Sequence, residues 1–138
     1  MLKYSDVSTA RSKYSDHPLF FKCIEIWCPK GWMDYLDKVV SFIEDYNKNC
    51  LEQDRLAFAQ VKIKWDRLTI YLEPLFDSSK EWSKSAQEAG VFDYINVVIN
   101  DASNHCTFCG NELIEMVIDS RIKAVCMNHF PQSRHGKS

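Results

Sequence analysis

The sequence predicts an α+β fold with an N-terminal amphipathic helix, a central β-hairpin, a helical pair and a C-terminal zinc ribbon-like hairpin. Three patterns carry this prediction. Apolar residues repeat every three or four positions over residues 32–48, they alternate over residues 56–73, and two pairs of metal-ligand residues follow within 104–130. A chain of 138 residues with 46% hydrophobic residues is large enough for one domain, residues 1–138, with its own core.

The N-terminal part of the chain contains the clearest helix. Residues 1–17 are polar, and we expect them to form a flexible arm or a short helix. A strongly apolar segment with Pro18 follows and leads to the turn signal Pro29-Lys30-Gly31. The helix over residues 32–48 has one apolar face, which is typical of a helix packed on a core. The residues of this face are Trp32, Tyr35, Leu36, Val39, Val40, Ile43 and Tyr46.

From Leu56 the apolar period changes to two, which indicates a β-hairpin with one buried face. Asp66-Arg67 is the expected turn. The second strand alternates apolar Leu68, Ile70 and Leu72 with Thr69, Tyr71 and Glu73. On the first strand one face is expected to hold Ala57, Ala59, Val61, Ile63 and Trp65, and the other Phe58, Gln60, Lys62 and Lys64.

The hairpin also carries three basic residues, Lys62, Lys64 and Arg67, which are expected on its outside or at its tip. Lysines on a sheet edge discourage the addition of further strands, so one interpretation is a solvated edge. The alternative is a basic patch that binds phosphate or carboxylate groups. Arg121 and Lys123 of the C-terminal hairpin would add to such a patch.

A helical pair follows the hairpin. Ser78 and Glu81 form a capping box, and the helix that they begin runs to about Ala89, where Gly90 closes it. A second amphipathic helix then delivers the chain to Cys106. Its apolar residues are Val91, Tyr94, Ile95, Val98, Ile99 and Ala102.

The C-terminal stretch holds four zinc ligands, Cys106, Cys109, Cys126 and His129. A Cys-x-x-Cys turn directs two sulfurs at one point, and Gly110 allows the backbone to turn tightly beneath a metal. The residues between the two pairs read as a hairpin, as in a zinc ribbon. Four protein ligands close the coordination shell, so we expect a structural Zn2+ rather than a catalytic one.

Two other interpretations of these residues remain open. Cys106 and Cys109 are spaced like a redox pair, although such a pair usually opens a helix after a strand and has no second pair downstream. The second alternative is that the cysteines are ordinary core thiols and that the histidine is a surface residue. His105 is an alternative fourth ligand, but it lies directly beside Cys106, which makes it the poorer choice.

Composition narrows the location and the class of protein. The formal net charge of -2 is not that of a general nucleic-acid binder. The sequence contains no apolar run long enough for a membrane span, and no signal-peptide core near Met1. We therefore expect a cytoplasmic protein, in which Cys23, Cys28 and Cys50 are core or surface thiols rather than disulfides. The basic tail over residues 131–138 is expected to be flexible.

The order of motifs resembles a family of small proteins from phages, prophages and plasmids of bacteria. The shared motifs are a Gly31-Trp32 helix start, the hairpin over residues 60–71, and the Cys106-x-x-Cys109-Gly110 and Cys126-x-x-His129 pairs. The similarity covers roughly residues 17–130. In this chain Trp65 stands where the family has Phe, Asp66 where it has Gly and Thr69 where it has Arg, and a Gly-Trp-containing stretch between the pairs is absent. The resemblance implies a mobile-element origin, a zinc-binding end and life inside a bacterial host cell, but no reaction.

These features favour an interaction protein. A small, metal-stapled accessory protein of near-neutral charge is expected to act by binding a host or defence protein and blocking it, for example as an anti-CRISPR. The alternative is a zinc-ribbon nucleic-acid-binding protein that contacts phosphates through its lysines and arginines. No catalytic pair or Gly-rich phosphate loop is recognisable, so we expect no enzyme and no catalytic residues. The sequence does not indicate the oligomeric state.

Overall fold

A computed structural model describes residues 8–65, 67–76 and 82–107. These residues form an α+β structure with four helices and one antiparallel hairpin. In chain order the elements are α1 (Ser8–Tyr14), α2 (Met33–Asn49), β1 (Leu56–Lys64), β2 (Arg67–Pro74), α3 (Trp82–Glu88) and α4 (Val91–Ala102). Short 3-10 turns cover Pro18–Phe20, Lys30–Trp32 and Glu52–Asp54. The predicted capping box, the zinc hairpin and the C-terminal tail lie outside the described residues.

The core lies between α2, α4 and one face of the hairpin. The predicted helix over residues 32–48 is confirmed as α2, with Trp32 at its N-cap. The predicted second amphipathic helix is confirmed as α4, and Gly90 before it has a φ of 78°, which glycine adopts without steric cost. The buried residues that α2 and α4 contribute are Met33, Leu36, Val39, Val40, Ile43, Asn47, Val91, Ile95, Val98, Ile99 and Ala102.

The predicted faces of β1 agree with the register from Gln60 to Lys64 but are wrong before Ala59, where Phe58 was placed on the side of the lysines. The register pairs Phe58 with Leu72 but Gln60 with Tyr71, so one extra residue of β1 bulges out at this point. Because side chains alternate with a period of two, the bulge turns Phe58 to the same face as Val61. Phe58 is fully buried there, and its ring stacks on Phe20 with centroids 4.5 Å apart.

A third extended segment pairs with the edge of β1 opposite β2. The Ile24 amide donates to the Ala59 carbonyl (3.0 Å), and the Val61 amide donates to the Glu25 carbonyl (2.8 Å). The Trp27 amide in turn donates to the Val61 carbonyl (2.8 Å), which makes a parallel bridge centred on Val61. β1 is therefore flanked on both edges.

Residues 8–14, for which an arm and a helix were both open, form α1. Its Tyr14 is buried, donates a hydrogen bond to Asp37 of α2 and stacks on Phe20 (4.8 Å). Lys13 makes an ion pair with the same carboxylate (2.9 Å). A stack of three rings, from Tyr14 through Phe20 to Phe58, thus connects α1 to the hairpin.

Asn47 joins the end of α2 to the start of β1. Its side-chain amide donates to the Leu56 carbonyl (3.0 Å), and its side-chain oxygen accepts from the Leu56 amide (2.9 Å). Leu56 is fully buried, so Asn47 satisfies two backbone groups that have no access to water. Arg55 adds a hydrogen bond from its Nε to the Asn47 carbonyl (2.9 Å).

Candidate functional site

The solvent-facing side of the hairpin, which we call the outer face, brings the predicted basic residues together. In the register Lys64 lies opposite Arg67, Lys62 opposite Thr69, and Gln60 opposite Tyr71. Because alternate residues share a face, these six side chains project to the same side, away from Val61 and the core. The cationic residues occupy the end of this face nearest the hairpin tip.

Trp65 lies at that tip and is the most exposed large apolar residue of the described part of the chain, with 86% of its surface accessible. Its φ of 55° places it in the left-handed region, which a bulky residue seldom adopts. The prediction that Trp65 shares a buried face is therefore wrong, because the residue belongs to the turn and not to the strand. The turn presents the indole to solvent.

Tyr71 organises the two lysines of the outer face. The Lys62 ammonium lies 5.7 Å from the centroid of its ring, and the Lys64 ammonium donates to its hydroxyl at 3.4 Å. Tyr71 thus holds two cations on one strand, two residues apart. A cation over an aromatic face is attracted by about 0.5 to 1 kcal/mol at an exposed site, which favours this arrangement over free rotation of the lysine.

Arg67 fixes the tip to the helical layer. Its Nη2 donates to the side-chain oxygen of Asn100 on α4 at 2.7 Å. The hydrogen bond restrains the guanidinium without neutralising it, since the amide of Asn100 is uncharged.

The end of the outer face remote from the tip carries carboxylates instead. The Gln60 amide donates to Glu25 of the third segment (2.7 Å), which places Glu25 beside the hairpin. Glu73 pairs with Lys22 at 3.7 Å. The outer face is therefore polarised: cations cluster near Trp65, and carboxylates that already have partners lie at the far end.

The predicted zinc ligand Cys106 lies at the end of the helical layer, where it is fully buried. Backbone groups on both sides of it are fixed. The indole Nε1 of Trp32 donates to the His105 carbonyl (2.9 Å), and the Gly31 amide donates to the Thr107 carbonyl (2.8 Å). The Gly31-Trp32 motif at the start of α2 thus holds the chain segment that carries Cys106.

The imidazole of His105, the alternative fourth ligand, is engaged with protein groups. Its Nδ1 lies 2.8 Å from the Asp101 carbonyl, and its ring packs against Tyr35 with centroids 5.2 Å apart. A carbonyl accepts only, so this contact assigns the proton to Nδ1. These contacts favour a structural role for His105, whose ring bonds back to the last turn of α4.

The other predicted metal ligands and two of the predicted basic residues lie outside the described residues. They are Cys109, Cys126 and His129, and Arg121 and Lys123. Within residues 8–65, 67–76 and 82–107 no group of three or more His, Cys, Asp or Glu side chains is arranged to hold a metal ion. Of the four predicted zinc ligands, the structure thus describes only Cys106.

The other described cysteines are free thiols, of which Cys28 is buried and Cys23 and Cys50 are half-buried. Burial raises the pKa of Cys28 far above its ordinary value, and it also raises the pKa of Cys23 and Cys50. A raised pKa keeps a cysteine protonated and unreactive at neutral pH. This agrees with the expectation that these cysteines are core or surface thiols.

Sequence reasoning missed the partner of His17. Its Nδ1 accepts a hydrogen bond from the Leu19 amide (3.1 Å), which caps the Pro18–Phe20 turn, and its Nε2 lies 3.2 Å from Glu44. Nδ1 therefore fixes the turn, and Nε2 attaches the N-terminal segment to α2. A His-Pro dipeptide before a turn is the only local signal of this role.

No protein-family model, no curated protein and no solved structure matches this chain. Among the residues that the structure describes, no helix is both long enough and apolar enough to cross a membrane.

Proposed function

We propose that the protein acts by binding a protein partner and that Trp65 is the central anchor of this contact. The observation that supports the proposal is the 86% exposure of a tryptophan at the tip of a hairpin. Exposing a large apolar ring to water is unfavourable, so burial of the ring against a partner would be favourable. Tryptophan, tyrosine and arginine are also the residues that dominate the binding energy of protein interfaces. Trp65 at the tip, together with Arg67 and Tyr71 of the outer face, supplies all three residue types.

The rigidity of this site adds to the proposal. β1 is paired on both edges, and Arg67 is bonded to α4, so the strands and Arg67 need little further ordering on binding. Ordering a flexible side chain or loop at an interface costs about 0.5 to 1.5 kcal/mol per residue. A pre-ordered tip avoids much of this cost.

The partner class follows from the resemblance to small mobile-element proteins. A protein of 138 residues in which no catalytic constellation is recognised would block its target by occupying the target's surface. We therefore propose an accessory protein of a phage or related element that inhibits a bacterial host or defence protein, of which an anti-CRISPR is one form. It would work inside the host cell.

The test is a pull-down from bacterial lysate with the full chain, with and without nuclease. Trp65→Ala is the test variant, and Val97→Ala, which truncates an exposed apolar residue of α4, is the control. We expect a stoichiometric protein that survives nuclease, is retained by the control and is lost with Trp65→Ala. Recovery of nucleic acid only, abolished by nuclease, would replace this proposal with the nucleic-acid alternative.

We further propose that the C-terminal region binds a structural Zn2+ through Cys106, Cys109, Cys126 and His129. The observation in its favour is the anchoring of Cys106 by Trp32 and Gly31, which connects a ligand position to the core. A structural zinc contributes folding free energy directly, since its ligands converge only in the folded state. The ion would attach residues 104–130 to the rest of the domain.

Metal analysis of the purified protein, together with thermal unfolding of Cys109→Ser, tests the zinc proposal. We expect one Zn2+ per chain, and loss of this ion and a lower Tm in Cys109→Ser. Cys50→Ser changes a cysteine outside both pairs and serves as the control. An unchanged Tm in Cys109→Ser would contradict the proposal of a structural zinc.

A further inference from the structure

The cations of the outer face point to the chemistry of the partner. Lys62, Lys64 and Arg67 lie within one end of a two-stranded surface, and no hydrogen bond or ion pair of the described residues joins any of them to a carboxylate. Tyr71 and Asn100 hold them instead, and both of these are neutral hydrogen-bonding groups. Three positive charges are thus positioned by the fold, and no carboxylate of the described residues neutralises them.

The spacing of these charges suits an extended chain. Lys62 and Lys64 are two residues apart on one strand, which separates them by about 6.6 Å along the strand. Alternate side chains of another extended segment have the same repeat, so two carboxylates of such a segment can reach both ammonium groups together. Trp65 follows Lys64 at the tip and is 86% exposed, so an apolar side chain of the same segment could pack on its indole.

We propose that the outer face binds a short acidic segment of the partner protein, which lies along Lys62 and Lys64 with an apolar residue against Trp65. This inference rests on the proposed function and adds the chemistry of the partner. Charge complementarity is the reason for it, since opposite potentials across an interface steer the encounter and select the partner.

Two observations favour an acidic protein segment over a nucleic-acid strand. The Lys62 ammonium lies 5.7 Å from the centroid of the Tyr71 ring, so a base that stacked on that face of the ring would have to displace it. The carboxylates of Glu25 and Glu73 occupy the far end of the face, where they would repel a phosphate backbone that continued along the strands. The cationic area is therefore limited to the length of a few residues.

The test uses the full chain and a labelled oligoglutamate peptide, with an oligoglutamine peptide of equal length and an oligothymidylate as comparison ligands. Binding is followed by NMR titration of the backbone amides and tryptophan indoles. We expect oligoglutamate to shift the signals of Lys62, Lys64, Trp65 and Arg67, and added salt to weaken the effect because the contacts are exposed ion pairs. Oligoglutamine is expected to cause no shifts.

Charge reversal separates this site from general electrostatics. In Lys62→Glu/Lys64→Glu we expect the affinity for oligoglutamate to fall about tenfold or more, since two attractions become repulsions. Lys48→Glu/Lys84→Glu changes the net charge equally at exposed helical positions and should retain the affinity within about twofold.

The outcomes distinguish the inference from the proposed function. Oligothymidylate binding more tightly than oligoglutamate at the same residues, or no shifts with oligoglutamate, would overturn the inference. It would also be overturned if the captured partner bound the Lys62→Glu/Lys64→Glu variant as well as the wild type, although the protein-binding function would then stand. Failure to capture any protein with the wild type would instead contradict the proposed function.

Discussion

The two faces of the hairpin use the same backbone for opposite purposes. The inner face, with Phe58, Val61 and Leu68, is excluded from water and packs against α2 and α4. The outer face carries Lys62, Lys64 and Tyr71 over the same length of strand and is accessible. The difference shows how one element divides its roles: stability resides on one side, and the other side is available for recognition because the fold does not depend on it.

The largest expected effect comes from the inner face. Phe58→Ala removes a fully buried ring that stacks on Phe20, and it should lower the free energy of unfolding by about 3 to 5 kcal/mol. Tyr71→Ala on the outer face removes a ring of similar size and should lower it by less than about 1 kcal/mol. Urea unfolding followed by circular dichroism measures both. Equal losses in the two variants would show that the faces do not differ as described.

The sequence predicts the helices of this fold better than the hairpin. α2 and α4 lie within a residue or two of their predicted ranges, because burial of one helical face imposes its own period on the sequence. The faces of β1 were mistaken at Phe58, since the bulge at Ala59 shifts the alternation and has no residue signature such as glycine. Alternation alone cannot detect such a shift.

The other features that the sequence does not predict are contacts between residues far apart in the chain. The segment around Ile26 becomes a partner of β1 only through pairing with Val61, 35 residues further along the chain. The indole of Trp32 reaches the His105 carbonyl over 73 residues. The spacing of Cys106 to Cys109 is a local pattern, so the sequence predicts Cys106 as a ligand. The groups that hold the backbone around Cys106, Trp32 and Gly31, lie far away in the sequence and are not predicted by it.

The second prediction concerns the attachment of the inner face to α2. Asn47→Ala would leave the amide and the carbonyl of Leu56 buried without partners, which should cost about 2 to 4 kcal/mol in the free energy of unfolding. Asn49→Ala provides the matched control, because the Asn49 side chain also donates to a backbone carbonyl, that of Asp45 (2.8 Å), but is exposed. The control should change stability by less than about 0.5 kcal/mol.

Chemical denaturation of both asparagine variants decides this point. A loss in Asn47→Ala no larger than that in Asn49→Ala would mean that water replaces the side chain at Leu56. The junction between α2 and β1 would then be hydrated rather than closed.

The third prediction uses pH to probe the tyrosines that pack against the core. Burial raises the pKa of Tyr46 to about 12, and burial together with the hydrogen bond to Asp37 raises the pKa of Tyr14 further. Above pH 10, the ordinary tyrosine value, the unfolded chain loses these protons while the folded chain retains them. Stability from these groups is therefore complete below pH 10 and is lost as the pH rises towards 12.

Urea unfolding at a series of pH values from 8 upwards, in wild type and Tyr46→Phe, measures this dependence at about one-unit intervals. The decrease in stability between about pH 10 and 12 should be smaller in Tyr46→Phe, because the variant has no phenol to titrate there. The buried thiol of Cys28 begins to contribute at lower pH, from about 9, and Tyr46 is not among the groups that shift its pKa, so it affects both proteins alike. Identical profiles for the two proteins would contradict the assignment of a raised pKa to Tyr46.

The smallest effect separates the backbone of the hairpin tip from its side chain. Trp65 has a φ of 55°, which is unfavourable for any residue with a Cβ by about 1 kcal/mol, but not for glycine. Trp65→Ala and Trp65→Gly both remove the indole, so they should lose the partner equally. Trp65→Gly should nevertheless be more stable than Trp65→Ala by about 0.5 kcal/mol, because relief of the left-handed conformation exceeds the added entropy of the unfolded glycine. Equal stability would mean that the turn relaxes to a negative φ when the indole is removed. The backbone of the hairpin tip would then not be rigid.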